Sequence, residues 1–232
     1  GLDDAISDGT ISGAITVAIN QDETKDSGYD ALASHSVVTT ISDNDATPTV
    51  TLTSSDVSVA ENLGAATLTA TLSLGAGSAT TVSLNISGNA TLNTDYSVSS
   101  TSIIIPAGST SGTAAATAIA DQVDEESETI TVDVSGVSGG NGASESGNQQ
   151  VSITITDDDT AAFTVTQSSG STSVAESGSS DDFTVVLGSE PTGNVVFDLS
   201  ASDSTEATLS ASTMTFTSSN WNSAQTVTVT GV

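Results

Sequence analysis

The chain repeats itself, and the length of the period limits what it can fold into. The string SVAEN (Ser58–Asn62) recurs as SVAES (Ser173–Ser177), which sets Glu61 and Glu176 115 positions apart. A second pair, ISDND from Ile41 and ITDDD from Ile155, is spaced by 114. Two independent markers agree to within one residue, so the repeating object is a whole domain rather than a short solenoid coil. A unit of that size suits an immunoglobulin-like sandwich.

Inside the unit, apolar residues alternate with Thr and Ser, as in TVTLT from Thr49, ATLTATLSL from Ala66, ETITVDV from Glu128, VSITIT from Val151 and TVTVTGV from Thr226. A period of two, broken by Gly, Ser and Asn turns, predicts many short half-buried strands. No convincing amphipathic helix is visible. The expected fold class is therefore all-β: tandem immunoglobulin-like antiparallel β-sandwiches. Aromatic residues make up only 3% of the chain and cysteine is absent, so the cores are small and neither disulfides nor thiolate metal sites support them.

The repeat is out of phase with the chain. One complete unit spans residues 47–159. Residues 160–232 start a second unit and stop at TVTVTGV, before any acidic strand end. Residues 1–46 have the character of the missing half: DDAISDGT (Asp3–Thr10) parallels DQVDEESET (Asp121–Thr129), and each leads into a strand, AITVAI or TITVDV. The second unit is then expected to be completed by the equivalent of residues 1–46, either from the next repeat of a longer tandem protein or from a neighbouring subunit. Both arrangements cover an otherwise exposed strand edge, and the second is a form of donor-strand addition.

Charge narrows the function. Twenty-nine acidic residues face one basic residue, Lys25, for a formal net charge of −28. Nucleic acid and anionic membrane surfaces are excluded as partners, because both are gripped by Lys and Arg. The longest strongly apolar run, SIIIPA from Ser102, is far short of a membrane span, and GLDDAISDGT has neither the basic start nor the apolar core of a signal peptide. The acid must be offset by bulk salt, as on a halophilic surface, or by specific cations.

SVAEN near the first strand, NTDYSV (Asn93–Val98), the acidic loop ADQVDEESETITV (Ala120–Val132) and the closing ITITDDD (Ile153–Asp159), in that order and spacing, resemble the Calx-β family. The resemblance covers one complete repeat and two halves. It implies an immunoglobulin-like sandwich that binds Ca²⁺ at one end, beside the junction with the next domain. The second repeat departs from the pattern: where the first has TLNTDYSV, it has SDSTEATLSASTMTF, with Asp203 and Glu206 as substitutes.

The side-chain chemistry agrees with the resemblance. Ca²⁺ takes six to eight oxygen ligands in a flexible cage rich in carboxylates, whereas Zn²⁺ and copper favour the His and Cys this chain lacks as clusters. In the complete repeat the expected ligands are Glu61, Asp95, Asp121, Asp124, Glu125, Asp157, Asp158 and Asp159. That set crowds so much negative charge that two or more ions are expected to share it. In the split repeat they are Glu176, Asp203 and Glu206, joined by the equivalents of Asp3, Asp4, Asp8, Asp43 and Asp45. Glu126 and Glu128 are expected to face solvent, and DETKD (Asp22–Asp26) to be a charged loop. Tyr96 and Trp221 are expected to pack, and the lone His35 to have no metal or catalytic role.

These features predict a non-enzymatic, Ca²⁺-binding structural or adhesive protein, secreted or on the cell surface. It would form a fibre, stalk or matrix filament stiffened by Ca²⁺ at its domain junctions. Its partners would be copies of itself. The alternative is a Ca²⁺-dependent module that binds carbohydrate or another surface. A paired-carboxylate glycosidase is disfavoured by the scarcity of aromatic platforms.

Overall fold

The computed structural model describes residues 6–20, 27–30 and 32–232, and within them the alternating segments are strands. The chain starts with β1 (Ile6–Ser7) and β2 (Ile11–Val17), passes a single helical turn α1 (Ser27–Asp30), and returns as β3 (His35–Ile41). β2 and β3 pair as an antiparallel hairpin, with Ile11 opposite Ile41 and Ile15 opposite Val37.

A two-sheet sandwich follows, built from β4 (Thr49–Ser54), β5 (Ser58–Ala60), β6 (Ala65–Leu72), β7 (Gly75–Ala76), β8 (Thr80–Gly88), β9 (Tyr96–Val98), β10 (Ser102–Ile105), β11 (Ser111–Ala118), β12 (Glu128–Gly139), β13 (Ser144–Glu145) and β14 (Gln150–Thr156). One sheet runs β13-β4-β6-β11-β9 and the other β10-β8-β12-β14-β5. The period-two pattern decides the layering. Along β6, Ala66, Leu68, Ala70 and Leu72 are buried, while Thr67 and Thr69 face away from the core. On that outer face Thr53, Thr69 and Thr113 lie opposite one another across three strands, a β-branched ladder that favours the pleated surface.

The core is aliphatic and fine-grained. Leu68, Ile103, Ile105, Ile130, Ile153 and Val132 are fully buried, and Ala66, Ala70, Ala114, Ala116 and Ala118 let the sheets approach. Tyr96 is the one aromatic side chain in this cluster, as expected. β5 is the element that shapes the acidic end. The first strand of the sandwich leaves one sheet after β4 and joins the other as β5, running parallel to β14 with Ala60 opposite Thr156.

The remaining strands are β15 (Phe163–Gln167), β16 (Ser180–Leu187), β17 (Val195–Asp198), β18 (Ala207–Leu209), β19 (Thr213–Phe216) and β20 (Gln225–Gly231). The sheet β15-β16-β20-β18 reproduces the order β4-β6-β11-β9, and the pair β17-β19 reproduces β8-β10. Its core centres on Val185, Met214, Phe216 and Val227. Trp221, in the turn before β20, is buried as expected and its carbonyl accepts the Leu187 amide.

Both ends of the complete sandwich carry a short parallel contact to the neighbouring segment. Ile6 pairs with Gly75 and Ser7 with Ala76 at one end. At the other, Val123 pairs with Glu190, and the Glu190 amide donates to the Gln122 carbonyl.

Gly88 is among the glycines of the complete sandwich that the backbone requires. Gly88 sits at φ +126°, and a Cβ there would lie 2.0 Å from the Thr129 carbonyl oxygen. Gly88→Ala should destabilise the protein by about 1–3 kcal/mol or more, since strain and backbone overlap add. Urea denaturation monitored by circular dichroism measures it; an unchanged midpoint would contradict this account of the β8 end.

Candidate metal centre

Strand register brings the carboxylates to one end of the complete sandwich. Because Ala60 stands opposite Thr156, the next residues on the parallel strands, Glu61 and Asp157, become neighbours; the Glu61 amide donates to the Thr156 carbonyl at 2.9 Å. Tyr96 faces Ala118, so Asp95 emerges opposite Ile119, two residues before Asp121. Glu128 opens β12 opposite Ile155, two residues before Asp157. Four separate chain segments thus deliver acid to one place.

The innermost carboxylate is Glu61, 4% exposed. Its Oε1 accepts the Asp121 amide at 2.9 Å. Burial, outweighing that hydrogen bond, and then the contacts with Asp157 and Asp121 raise its pKa to about 7. Asp95, Glu125 and Glu128 offer oxygens all within 4.8 Å of one another. With Glu61, Glu126 and Asp157 they surround a void of about 10 Å³, room for a single small atom or ion. Asp157 Oδ1 is buried with no hydrogen-bond partner.

Sequence reasoning placed Glu128 in solvent, and the structure corrects this. Glu128 is half-buried; burial first, then a hydrogen bond and charge from Asp95, raise its pKa to about 7. The signal was present, since Glu128 shares strand parity with the buried Ile130, Val132 and Val134, which turns it to the inner face. Glu126 is exposed.

A second, outer group adjoins the first. Asp159 is raised by lost hydration and then by the charges of Asp158, Asp157, Asp121 and Asp124. Glu125 is raised by burial, then by Asp121, Asp95 and Asp157. Asp121 and Asp157 therefore act on both groups. Backbone and amide contacts fix the rest: Asp95 Oδ2 accepts the Thr91 amide at 2.5 Å, Asp121 Oδ1 the Val123 amide at 2.8 Å, and Asp158 Oδ2 the Asn62 side-chain amide at 3.2 Å. Asp124 is exposed; its charge reaches Asp159, and it also stands on the wall of a cleft shared with Phe163 and Glu190.

The split repeat is less assembled. Glu176, the counterpart of Glu61, is exposed. Glu206 occupies the Asp95 position: its carbonyl accepts the Val232 amide as that of Asp95 accepts the Ile119 amide. Asp203 instead caps its own turn. Hydrogen bonds from the Thr205 hydroxyl and amide hold its pKa below the usual carboxylate range. In the N-terminal segment Asp43 Oδ2 accepts the Gly9 amide at 3.3 Å and its Oδ1 the Asp45 amide at 3.4 Å. Asp8 is exposed and lies against Gly77. Asp3, Asp4 and the DETKD loop fall outside the described residues.

In chelator, the raised acids fix the sign of a pH effect. Glu61 and Glu128 have an ordinary value of 4.5 and a folded value of about 7. Between those values the folded state binds more protons than the unfolded one, so stability falls as pH rises. Thermal melts in EGTA should give the highest melting temperature near about pH 5, declining toward neutrality. A melting temperature that rises over this window would overturn the assignment of repulsion to this end.

No curated protein matches the sequence. Among solved structures, the apo form of the Calx CBD1 domain aligns over 49% of this chain and all of its own, at 20% identity and a TM-score of 0.43. The calcium binding domain CBD12 of CALX1.1 aligns over 63% of this chain and 61% of its own, at 22% identity and a TM-score of 0.43. CBD12 from CALX1.2 aligns over 79% and 74%, at 20% identity and a TM-score of 0.42. The sequence profile of the Calx-beta domain matches residues 43–159, a span that starts at Asp43, contains the whole complete sandwich and ends on Asp159. By that match across half its length, the chain belongs to the Calx-beta domain family.

Proposed function

We propose that the acidic end of the complete sandwich binds Ca²⁺, and that the protein is a structural repeat whose domain junctions are stiffened by that binding. The observation that carries the reading is Asp157 Oδ1, buried and unpartnered amid Glu61, Asp95, Glu125 and Glu128. A buried carboxylate oxygen without a donor is costly unless a cation meets it. Among the described residues no Lys or Arg approaches the group, and the chain's one such residue is Lys25. An all-oxygen, all-carboxylate donor set suits a hard cation with a flexible coordination shell. The inner group (Glu61, Asp95, Glu125, Glu128, Asp157) and the outer group (Asp121, Asp158, Asp159) are read as two ion sites sharing Asp121 and Asp157.

The coupling to stiffness is local. The loop that supplies Asp121 to Glu128 also supplies Gln122 and Val123, which bond to Glu190 of the following sandwich. Without cation the loop's carboxylates repel one another and the loop loosens. With it, the loop is drawn onto the ends of β5, β9 and β14, and the contact to the next sandwich is held. Extracellular Ca²⁺ modules often have Kd of about 10⁻⁴–10⁻³ M, which fits a secreted or surface protein and leaves such sites mostly empty in the cytosol. Among the described residues no helix is long and apolar enough to cross a membrane. No catalytic role is assigned.

Calorimetric titration with CaCl₂ should show Ca²⁺ uptake. Asp157→Asn should lower affinity at least about tenfold, a 1.4 kcal/mol loss consistent with removing one charged ligand. At a hundredfold excess over Kd, Ca²⁺ should stabilise the fold by about 2.7 kcal/mol. No heat and no stabilisation at millimolar Ca²⁺ would dismiss the site. Electron cryo-microscopy in millimolar Ca²⁺ and after EGTA tests the fibre: filaments that soften on chelation support it, and unchanged compact particles reject it.

A further inference from the structure

The complete sandwich carries a leucine at a backbone position that suits glycine. Leu63 has φ +64°, a left-handed conformation that is an outlier for a bulky residue and is disfavoured by its Cβ. The counterpart in the second sandwich is Gly178, at φ +82°. SVAEN and SVAES set that correspondence, and the next residue confirms it: the Gly64 carbonyl accepts the Ala118 amide as that of Ser179 accepts the Gly231 amide. Leu63 gains no burial in exchange, since it is 73% exposed. Leu92, 46% exposed, stands three residues before Asp95; three before its counterpart Glu206 is Asp203. A backbone outlier that packing does not support points to a function.

Both leucines sit at the acidic end, on turns tied to its carboxylates. The Leu63 amide donates to the Glu61 carbonyl at 2.6 Å, and the side-chain amide of the preceding residue, Asn62, donates to Asp158 Oδ2. Next to Leu92, the Thr91 amide donates to Asp95 Oδ2. Ala118 relates the two turns. Its amide bonds Gly64, and it pairs with Tyr96, which bridges to Leu92. Two strand spacings, about 10 Å, therefore separate them, and half-buried Ile119 continues the strand in between. At the same end Asp121, Asp124, Glu125 and Asp158 are exposed, with the following sandwich in place.

We infer that Leu63 and Leu92 dock this end of the complete sandwich, in Ca²⁺, on a lipid bilayer that bears anionic phosphate headgroups. The inference rests on the Ca²⁺ reading of the site. The chain's one Lys or Arg is Lys25, so direct attraction to an anionic membrane is ruled out, and without a cation the acids are repelled by it. Ca²⁺ changes the sign of the contact. It takes six to eight oxygens, of which the exposed carboxylates supply some and headgroup phosphates supply others. The leucines then enter the interfacial layer, where apolar burial adds to the electrostatic attraction. Area favours a bilayer over a folded partner. Two turn-borne leucines fall far short of the roughly 800 Å² per partner that a specific protein interface buries, and a deformable surface needs no matching groove. Because each turn is hydrogen-bonded to an acid of the metal centre, the ion that bridges to phosphate also sets the leucines.

The second sandwich supplies the test variants. The full chain should float with phosphatidylglycerol–phosphatidylcholine vesicles in millimolar Ca²⁺, and should not do so in EGTA or with phosphatidylcholine alone. Leu63→Gly with Leu92→Asp, the residues found at these positions in the second sandwich, should weaken vesicle binding at least about tenfold, the worth of burying one leucine side chain or more. The same variant should keep its Ca²⁺ uptake in calorimetry. Leu63→Gly alone should melt in EGTA no lower than the parent, because glycine accepts the left-handed backbone; a clearly lower melting temperature would make Leu63 a folding residue and overturn the inference. Vesicle binding that survives in the double variant would reduce the contact to ion bridging and overturn it too. Self-association in Ca²⁺ without lipid, lost in the double variant by sedimentation velocity, would assign the leucines to a second copy instead. Ca²⁺ uptake without any vesicle binding would reject docking and leave the metal site standing, whereas no Ca²⁺ uptake would reject both.

Discussion

Repulsion among carboxylates that strand register forces together is the constraint on which the rest of this protein turns. Hydrogen-bonded ladders fix Glu61 beside Asp157, Glu128 two residues from it, and Asp95 across from the approach to Asp121. No rearrangement of one side chain relieves this, because each acid is attached to a different strand end and each strand end is set by the core behind it. The folded state answers in two ways. It raises the proton affinity of its innermost acids, and it leaves a buried oxygen of Asp157 without a hydrogen-bond partner.

The core behind the acids is built to resist that force with modest means. Its side chains are aliphatic, and alanines on β6 and β11 bring the sheets close. Such a core gains its stability from dense packing of many small groups rather than from a few large rings. The second core is different in kind, with Phe183, Phe197 and Phe216 taking up volume.

Much of this was legible in the letters. The spacing of SVAEN and of the acidic strand ends marked the unit, alternation marked the strands, and clustering marked Glu61, Asp95, Asp121, Glu125 and Asp157–Asp159. Glu128 was misjudged because the acidic run DEESE reads as a solvated loop; its inward turn follows from the strand that starts at that residue, a boundary that letters place poorly. Asp203 and Glu206 were equal candidates by sequence, and only the carbonyl contact to Val232 separates them. Asp124 borders both the outer acids, through its charge on Asp159, and the cleft toward Glu190, a double position set by backbone direction that no count of acids reveals.

The parallel bridges at the two ends of the complete sandwich are made by main-chain atoms. One engages Gly75 and Ala76, the other Glu190, followed by Pro191. Side chains as unlike as these meet the same partner geometry, so the spacing from one sandwich to the next is written in the peptide groups and not in residue identity. Two sandwiches joined in this way are then free to drift apart in sequence, changing surface, charge and core composition, while the geometry of their junction stays constant.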